Sequence, residues 1–167
     1  EIGVTIGATG AVAVNSKMQT NIQDVYAVGD VAESFSAITG KSIYRPLGST
    51  ANKMGRIAGD VITGGNLEHR GVLGTGIFRG FDLHVGQTGM TEKEAKAAGY
   101  AVEVRYNIKP DHAEYLGGKE LIIKALADKA TGRVLGAQVL GSQGVDKRID
   151  VLATAITVEA KAEDLFH

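Results

Sequence analysis

An apolar run ends in Gly-Asp near the start of the chain, in the stretch Thr20-Asn21-Ile22-Gln23-Asp24-Val25-Tyr26-Ala27-Val28-Gly29-Asp30. The continuous apolar residues from Val25 to Val28 predict a strand covered on both faces, as in a parallel sheet. Gly29 and Asp30 then fall at the carboxyl edge of that sheet, where ligands of such folds bind. Glycine lets a ligand come close, and a carboxylate can accept hydrogen bonds from sugar or sugar-alcohol hydroxyls. The stretch therefore predicts a ligand site at the tip of a buried strand.

A helix is predicted a short distance further on, where the chain reads Arg45-Pro46-Leu47-Gly48-Ser49-Thr50-Ala51-Asn52-Lys53-Met54-Gly55-Arg56. Apolar residues recur every three or four positions from Ala51 to Val61, and Gly64-Gly65 ends the pattern. The free N–H groups and the positive dipole end at a helix start can stabilise negative charge placed there. This helix start is a second candidate binding element.

The first part of the chain is incomplete as a nucleotide-binding domain. A short β-prone run, Ala11 to Val14, precedes the apolar stretch, but such a domain needs several strand and helix crossovers. Residues 1–68 are therefore expected to complete a sheet supplied by sequence outside this chain, and residues 66–71 are expected to form a linker. The start at Glu1 rather than Met and the stop at His167 fit a piece of a longer protein.

The second part of the chain, residues 72–167, predicts a compact α+β unit. Thr91-Glu92-Lys93-Glu94 has the spacing of a capping box and predicts a short helix over about 92–98. Val102, Val104 and Tyr106 alternate with polar residues as in a half-buried strand. Residues 121–126 and 134–140 predict a hairpin. A final helix carries one apolar face made of Val145, Ile149, Leu152 and Ile156.

The composition of the 167 residues, 44% hydrophobic and 22% charged, is that of an ordinary globular protein. A net charge of −1 disfavours a nucleic-acid partner. No apolar stretch approaches membrane-spanning length and no signal peptide opens the chain, so no membrane association and a cytoplasmic location are expected. The absence of Cys excludes disulfides and a cysteine nucleophile in this piece, and four scattered His predict no metal site.

The apolar stretch also carries a family resemblance. Thr20, six residues, then Ala27-Val28-Gly29-Asp30 closely resembles the second FAD-binding motif of the pyridine nucleotide-disulfide oxidoreductases. The run from Phe81 to Ala95, with Val-Gly-x-Thr-Gly before Thr-Glu-x-Glu-Ala, resembles the opening of that family's dimerisation domain. The resemblance implies an α+β chain: the C-terminal segment of a Rossmann-like FAD-binding domain at 1–68, then a truncated dimerisation domain, an antiparallel sheet with helices, at 72–167.

The resemblance also implies cofactor contacts in the first part. Asp30 takes the role of binding the ribityl chain of FAD, beside Ala27 and Gly29. The helix start at Pro46, Leu47 and Gly48 would point its backbone at the pyrimidine edge of the flavin. Asn52 lies where coenzyme A-disulfide reductases have a substrate contact, although the residue there is often His.

Within the family, the pattern is closest to the branch that holds coenzyme A-disulfide reductase, NADH oxidase, NADH peroxidase and persulfide reductases. No His of the chain is followed by Pro, which argues against the glutathione reductase type. The loop Asp111–Glu120 resembles one whose tyrosine reaches the active-site thiol of the opposite subunit, which makes Tyr115 a candidate proton or hydrogen-bond donor in trans. An ordinary interface tyrosine is the alternative. His112, in the same loop, is a candidate substrate contact.

The resemblance implies a homodimeric FAD enzyme that uses NADH or NADPH, the nucleotide and the catalytic Cys being bound or supplied by parts outside this chain. The electron acceptor stays open among coenzyme A disulfide, polysulfide, peroxide and oxygen. A second hypothesis is that the piece by itself is an inert, self-associating dimerisation module. The two differ in whether flavin and activity require the rest of the protein.

Overall fold

The computed structural model describes residues 2–165, which form two compact units divided between Val72 and Leu73. In the first unit, a single 3-10 turn at Gly29–Val31 precedes a small antiparallel pair, β1 (Ser34–Phe35) and β2 (Ser42–Ile43). The predicted helix follows as α1 (Gly48–Ile62). Its apolar face completes a small core. That core consists of Met18, Ala32, Met54 and Ala58.

The two strands predicted in the first unit are wrong as regular strands. In the segment 25–28 only Tyr26 makes a bridge, an isolated one to Gln19, and in 11–14 Val12 makes bridges to Ile6 and Ala32. A regular strand needs a continuous row of backbone partners on a neighbouring strand, and the described residues supply single bridges. The backbone at Val28 is nevertheless extended, with φ −143° and ψ 159°.

The predicted linker, residues 66–71, is packed onto the first unit. His69 is buried, its N–H donates to Ser16 O at 2.8 Å, and its ring meets Phe35 edge-on at a centroid distance of 5.9 Å. Val72 N–H donates to Phe35 O at 2.8 Å. This packing could not be predicted from the sequence. The segment shows no apolar periodicity, because its buried residue is a single histidine.

The second unit is built on a five-stranded, wholly antiparallel sheet with strand order β3-β4-β7-β6-β5. Its strands are β3 (Gly76–Gly80), β4 (Leu83–Gly89), β5 (Val102–Pro110), β6 (Glu120–Asp128) and β7 (Val134–Gly141). The predicted α+β class with an antiparallel sheet is therefore confirmed, as are the strand at 102–106 and the hairpin of β6 and β7.

Two helices pack on this sheet, α2 (Glu92–Ala97) and α3 (Val145–Thr157). The predicted capping box is present: the Thr91 side chain accepts from Glu94 N–H at 3.2 Å, and Thr91 N–H donates to the Glu94 carboxylate at 2.8 Å. The predicted apolar face of α3 is buried against β4 and β7. Gly86 of β4 makes this packing possible, since a Cβ there would lie 2.5 Å from Ile149 Cγ1.

Within residues 2–165, none of the helices combines the length and the apolar character required to cross a lipid bilayer.

Candidate functional site

The turn that contains Gly29 and Asp30 lies against the start of α1. Gly29 has φ +72°, which favours glycine, and a Cβ placed on it would lie 3.4 Å from the Cβ of Ala51. Asp30 is exposed, and no hydrogen bond to its carboxylate is made by any residue in 2–165. The structure thus brings the Asp30 turn and the first turns of α1 together, and it leaves the carboxylate open to a ligand.

Thr20, the first residue of the motif, fixes the backbone before this turn. Its hydroxyl donates to Val25 O at 2.9 Å and accepts from Ile22 N–H at 3.1 Å, and Thr20 N–H also donates to Val25 O at 3.0 Å. These bonds close a tight loop in which Asp24 has φ +61°. Thr20 therefore has a structural role: it sets the direction of the segment that leads to Gly29.

Glu33 anchors the other side of the turn from a buried position. Its carboxylate accepts hydrogen bonds from Thr9 N–H and Thr9 Oγ1, both at 2.8 Å, and it is 4% exposed. The backbone hydrogen bond from Thr9 lowers the pKa of Glu33 against the opposing effect of burial. Gly7 leaves the space for this carboxylate, since a Cβ there would lie 2.3 Å from it. This role of Glu33 was not predicted, because no local pattern relates it to Thr9.

The start of α1 offers amide groups that the helix itself leaves without a partner. Leu47 is the N-cap residue and provides no side-chain hydrogen bond, and the first turn holds no acidic residue. Ala51 is the first residue whose N–H bonds back, to Leu47 O at 2.9 Å. The amides of residues 48–50 therefore have no partner within the helix, and the dipole gives this end partial positive charge. An electron-rich or anionic group can be held here without any charged side chain.

The remaining residues predicted for the first-unit site surround these two elements in sequence. Pro46, Gly48 and Asn52 are exposed, whereas Leu47 and Ala27 are half-buried. Ala27 packs against the small core, and its N–H donates to Met18 O at 3.1 Å. Ala27 is thus part of the support of the turn, while the exposed residues at the start of α1 are accessible to a ligand.

The other predicted site residues, His112 and Tyr115, share one loop of the second unit. Tyr115 lies in a 3-10 turn, Glu114–Leu116, and is 87% exposed. Both nitrogens of the His112 ring face oxygen atoms: Nδ1 lies 2.8 Å from Asp111 Oδ2, and Nε2 lies 3.0 Å from Leu116 O. His112 is therefore engaged in holding the loop, and Tyr115 is the side chain that the loop presents outward.

Asp111 anchors this loop at its base. Its carboxylate, 7% exposed, accepts hydrogen bonds from Lys119 N–H at 2.7 Å and from Gln143 Nε2 at 3.4 Å. Burial works against ionisation, but the hydrogen bonds from Lys119, His112 and Gln143 outweigh it and lower the pKa of Asp111 to about 2. Arg148 of α3 donates to Asp111 O and fastens the loop to the helix.

The pKa of His112 shifts in the opposite direction to that of Asp111. The hydrogen bond to the Asp111 carboxylate, followed by that to the Leu116 carbonyl, raises the pKa of His112 above its ordinary value, while nearby Arg148 opposes this shift. The anchoring roles of Asp111 and Arg148 were not predicted. In the sequence, Arg148 is only a charged residue at the start of a helix. Its contact with Asp111 joins residues 37 positions apart, and sequence periodicity does not reveal contacts over such a separation.

Comparisons with known proteins match both units. Residues 1–55 match the pyridine nucleotide-disulphide oxidoreductase family model, and residues 78–167 match the dimerisation domain of the same family. An NAD(P)H sulfur oxidoreductase (CoA-dependent) of Pyrococcus furiosus is 45% identical over 99% of this chain, which spans 38% of that protein. A coenzyme A disulfide reductase of Staphylococcus aureus is 32% identical over 97% of this chain, and the match covers 37% of that reductase.

Among solved structures, an NAD-dependent persulfide reductase from A. fulgidus superposes with a TM-score of 0.92 and 40% identity. The match covers 98% of this chain and 30% of that one. Since one family model covers residues 78–167 and its companion covers residues 1–55, the assignment does not depend on a single motif. The chain belongs to the pyridine nucleotide-disulphide oxidoreductase family.

Proposed function

We propose that this chain is the C-terminal part of a homodimeric, FAD-dependent NAD(P)H oxidoreductase of the cytoplasm that reduces a coenzyme A disulfide or persulfide. The observation that carries the proposal is found in the first unit, where an Asp30 carboxylate that forms no hydrogen bond with residues 2–165 lies beside the uncapped start of α1. The names of the relatives in Pyrococcus furiosus and A. fulgidus support the choice of a sulfur compound as acceptor.

The residues of the first unit fit a bound flavin nucleotide. The Asp30 carboxylate would accept hydrogen bonds from ribityl hydroxyls, and Gly29 would allow the close approach that these bonds need. The backbone of Pro46, Leu47 and Gly48 would face the pyrimidine edge of the ring, where the free amides and the helix dipole favour negative charge. When bound, FAD supplies two-electron redox chemistry that carries electrons from NADH or NADPH to a disulfide or persulfide. Asn52 is the proposed substrate contact on the same helix.

Tyr115 is the proposed donor to the opposite subunit. Its 87% exposure leaves the phenol free to enter a partner's active site. A phenol can donate a proton to a departing thiolate, or a hydrogen bond to a thiolate nucleophile, and either interaction stabilises the negative charge on sulfur. A homodimer is required for this role, and the dimerisation-domain match of residues 78–167 supports it. His112 is a proposed substrate contact only through its exposed ring edge, because both its nitrogens bond within the loop.

A parent enzyme that reduces oxygen or peroxide is the alternative that this chain leaves open, since the resemblance also extends to NADH oxidases and peroxidases. The decisive assay follows NADH oxidation by the complete enzyme with coenzyme A disulfide, polysulfide, peroxide and oxygen. We expect turnover to be fastest with one of the two sulfur acceptors. Faster turnover with oxygen or peroxide would replace the sulfur assignment with that alternative.

The isolated chain serves as the control in this assay. It contains no Cys, so it is expected to reduce none of the four acceptors, and an inert self-associating module describes it well in isolation. Sedimentation of the same chain tests association, because a dimerisation unit should show a concentration-dependent increase in mass. Reduction of any acceptor by the chain alone would contradict the proposal that the catalytic Cys is supplied by a part outside this chain.

Removal of one hydroxyl tests Tyr115. In the complete enzyme, Tyr115→Phe is expected to lower kcat with a sulfur acceptor by about 100-fold, because a positioned acid contributes on this order. Flavin content and dimer mass should not change. Tyr106→Phe is the control: this tyrosine of β5 is 63% exposed, and Phe keeps a ring 5.9 Å from Lys124 Nζ while it removes the hydroxyl that also bonds Lys124. Equal activity of the Tyr115 and Tyr106 variants would make Tyr115 an ordinary surface residue.

A further inference from the structure

The loop between β5 and β6 carries an outer turn, Glu114–Leu116, which is held by the ring of His112. Both groups that face the ring are acceptors: an ionised carboxylate at Nδ1, 2.8 Å away, and a backbone carbonyl at Nε2, 3.0 Å away. A neutral imidazole carries one N–H and can satisfy one of them. The imidazolium carries two and satisfies both.

We propose that doubly protonated His112 is a positioning residue that clamps the turn bearing Tyr115 to the base of the loop, and that loss of one ring proton releases this turn. The inference rests on the proposed function only for what Tyr115 does. The clamp itself concerns the loop and is measurable without turnover.

The base of the loop, formed by Asp111 and Lys119, is held together by bonds that do not involve His112. Asp111 N–H donates to Lys119 O at 2.9 Å, Lys119 N–H donates back to Asp111 Oδ1 at 2.7 Å, and Arg148 holds Asp111 O. Gly118 packs so closely that a Cβ on it would lie 2.1 Å from His112 O. The base should therefore persist at any pH in which Asp111 is ionised.

The outer turn has weaker support. Its amides bond only locally: Leu116 N–H to Ala113 O and Gly117 N–H to Glu114 O, both at 2.9 Å. In the described part of the chain, the bond from His112 Nε2 to Leu116 O is the one side-chain hydrogen bond that reaches the Glu114–Leu116 turn. Its loss leaves the turn attached through the backbone alone, so Tyr115 becomes free to move.

The charges that face His112 set the direction of the pH effect. Asp111, from the loop, favours the imidazolium, and Arg148, from α3, opposes it, with a net increase in the pKa of His112 from 6.5. A group whose pKa is higher in the folded state stabilises that state fully below its unfolded pKa. This contribution is lost as the pH rises through the folded pKa. The clamp is therefore fully closed below pH 6.5, and it opens as the pH rises through the folded-state pKa of His112, which lies above 6.5.

The test is NMR on the 167-residue chain, following the His112 ring signals and the exchange protection of the Leu116, Gly117 and Gly118 amides from about pH 5.5 to 9. We expect protection, corrected for intrinsic exchange rates, to fall about tenfold as His112 loses its proton, the order of one charge-assisted hydrogen bond. The two midpoints should coincide.

Three variants sharpen the test. His112→Gln should abolish the transition in amide protection, and Asp111→Asn should move its midpoint to lower pH by removing the facing charge. His84→Gln is the control, because His84 bonds Ser142 O at 3.1 Å outside this loop, and its transition should match the unsubstituted chain. Protection that does not change with pH would overturn the clamp, as would a transition that persists unaltered in His112→Gln.

The outcome separates the clamp from the proposed function. A titrating loop combined with a fully active Tyr115→Phe enzyme would support the clamp and refute the role of Tyr115. A loop that does not titrate, in an enzyme that needs Tyr115, would refute the clamp alone.

Discussion

Asp30→Ala in the complete enzyme is expected to bind FAD about 10- to 100-fold more weakly than the unsubstituted protein, and to be purified with less than stoichiometric flavin. A hydrogen bond to a charged group contributes roughly 1.5–3 kcal/mol, and each 1.4 kcal/mol is a factor of ten in affinity. The exposed carboxylate makes no bond with other described residues, so its removal should leave folding unaffected. Flavin absorbance per mole of protein, before and after dialysis, measures the effect.

The matched control is Asp24→Asn. Asp24 is an exposed carboxylate in the loop before the turn, and Asn tolerates its φ of +61°. The variant removes the same charge from the same region and should retain full flavin. Equal flavin content in the Asp30 and Asp24 variants would show that the Asp30 carboxylate does not contact the cofactor.

Ile149→Ala is expected to lower the free energy of unfolding of the second unit by about 2–5 kcal/mol, the range for truncating a buried isoleucine. Ile149 is 0% exposed and packs with Leu121 and Val139 of the sheet. Gly86 supplies the space that its side chain fills, and that space would become a cavity. Exchange of the slowest amides of β6 and β7 reports this free energy directly.

Val151→Ala on the same helix is the control. Val151 is 61% exposed, so its truncation should change the free energy of unfolding by less than about 0.5 kcal/mol. Loss of several kcal/mol in both variants would mean that helix formation, rather than burial of one face, determines the stability of the unit.

The second unit was predictable because its signals are local. The capping box at Thr91 and the apolar face that includes Ile149 specify their elements within a few residues of sequence, and both were confirmed. The turn residues between β6 and β7 likewise fix a hairpin without distant partners.

The first unit was predicted less well because its elements depend on partners that are distant in the sequence. The apolar segment around Tyr26 has the composition of a strand but makes one isolated bridge. The buried Glu33 carboxylate bonds Thr9, 24 positions away. In the second unit, the Asp111 anchor depends in the same way on Arg148. Periodicity reports which face of an element is buried, whereas such polar contacts depend on the completed fold.

The placement of Asp30 at the flavin is tested most directly by a crystal structure of the complete enzyme with FAD bound. We expect an Asp30 carboxylate oxygen roughly 2.5–3.0 Å from a ribityl hydroxyl, the range of an O–H···O hydrogen bond, with the first amides of α1 directed at the flavin ring. An Asp30 side chain surrounded by bulk water, with the ribityl hydroxyls bonded to other residues, would contradict it.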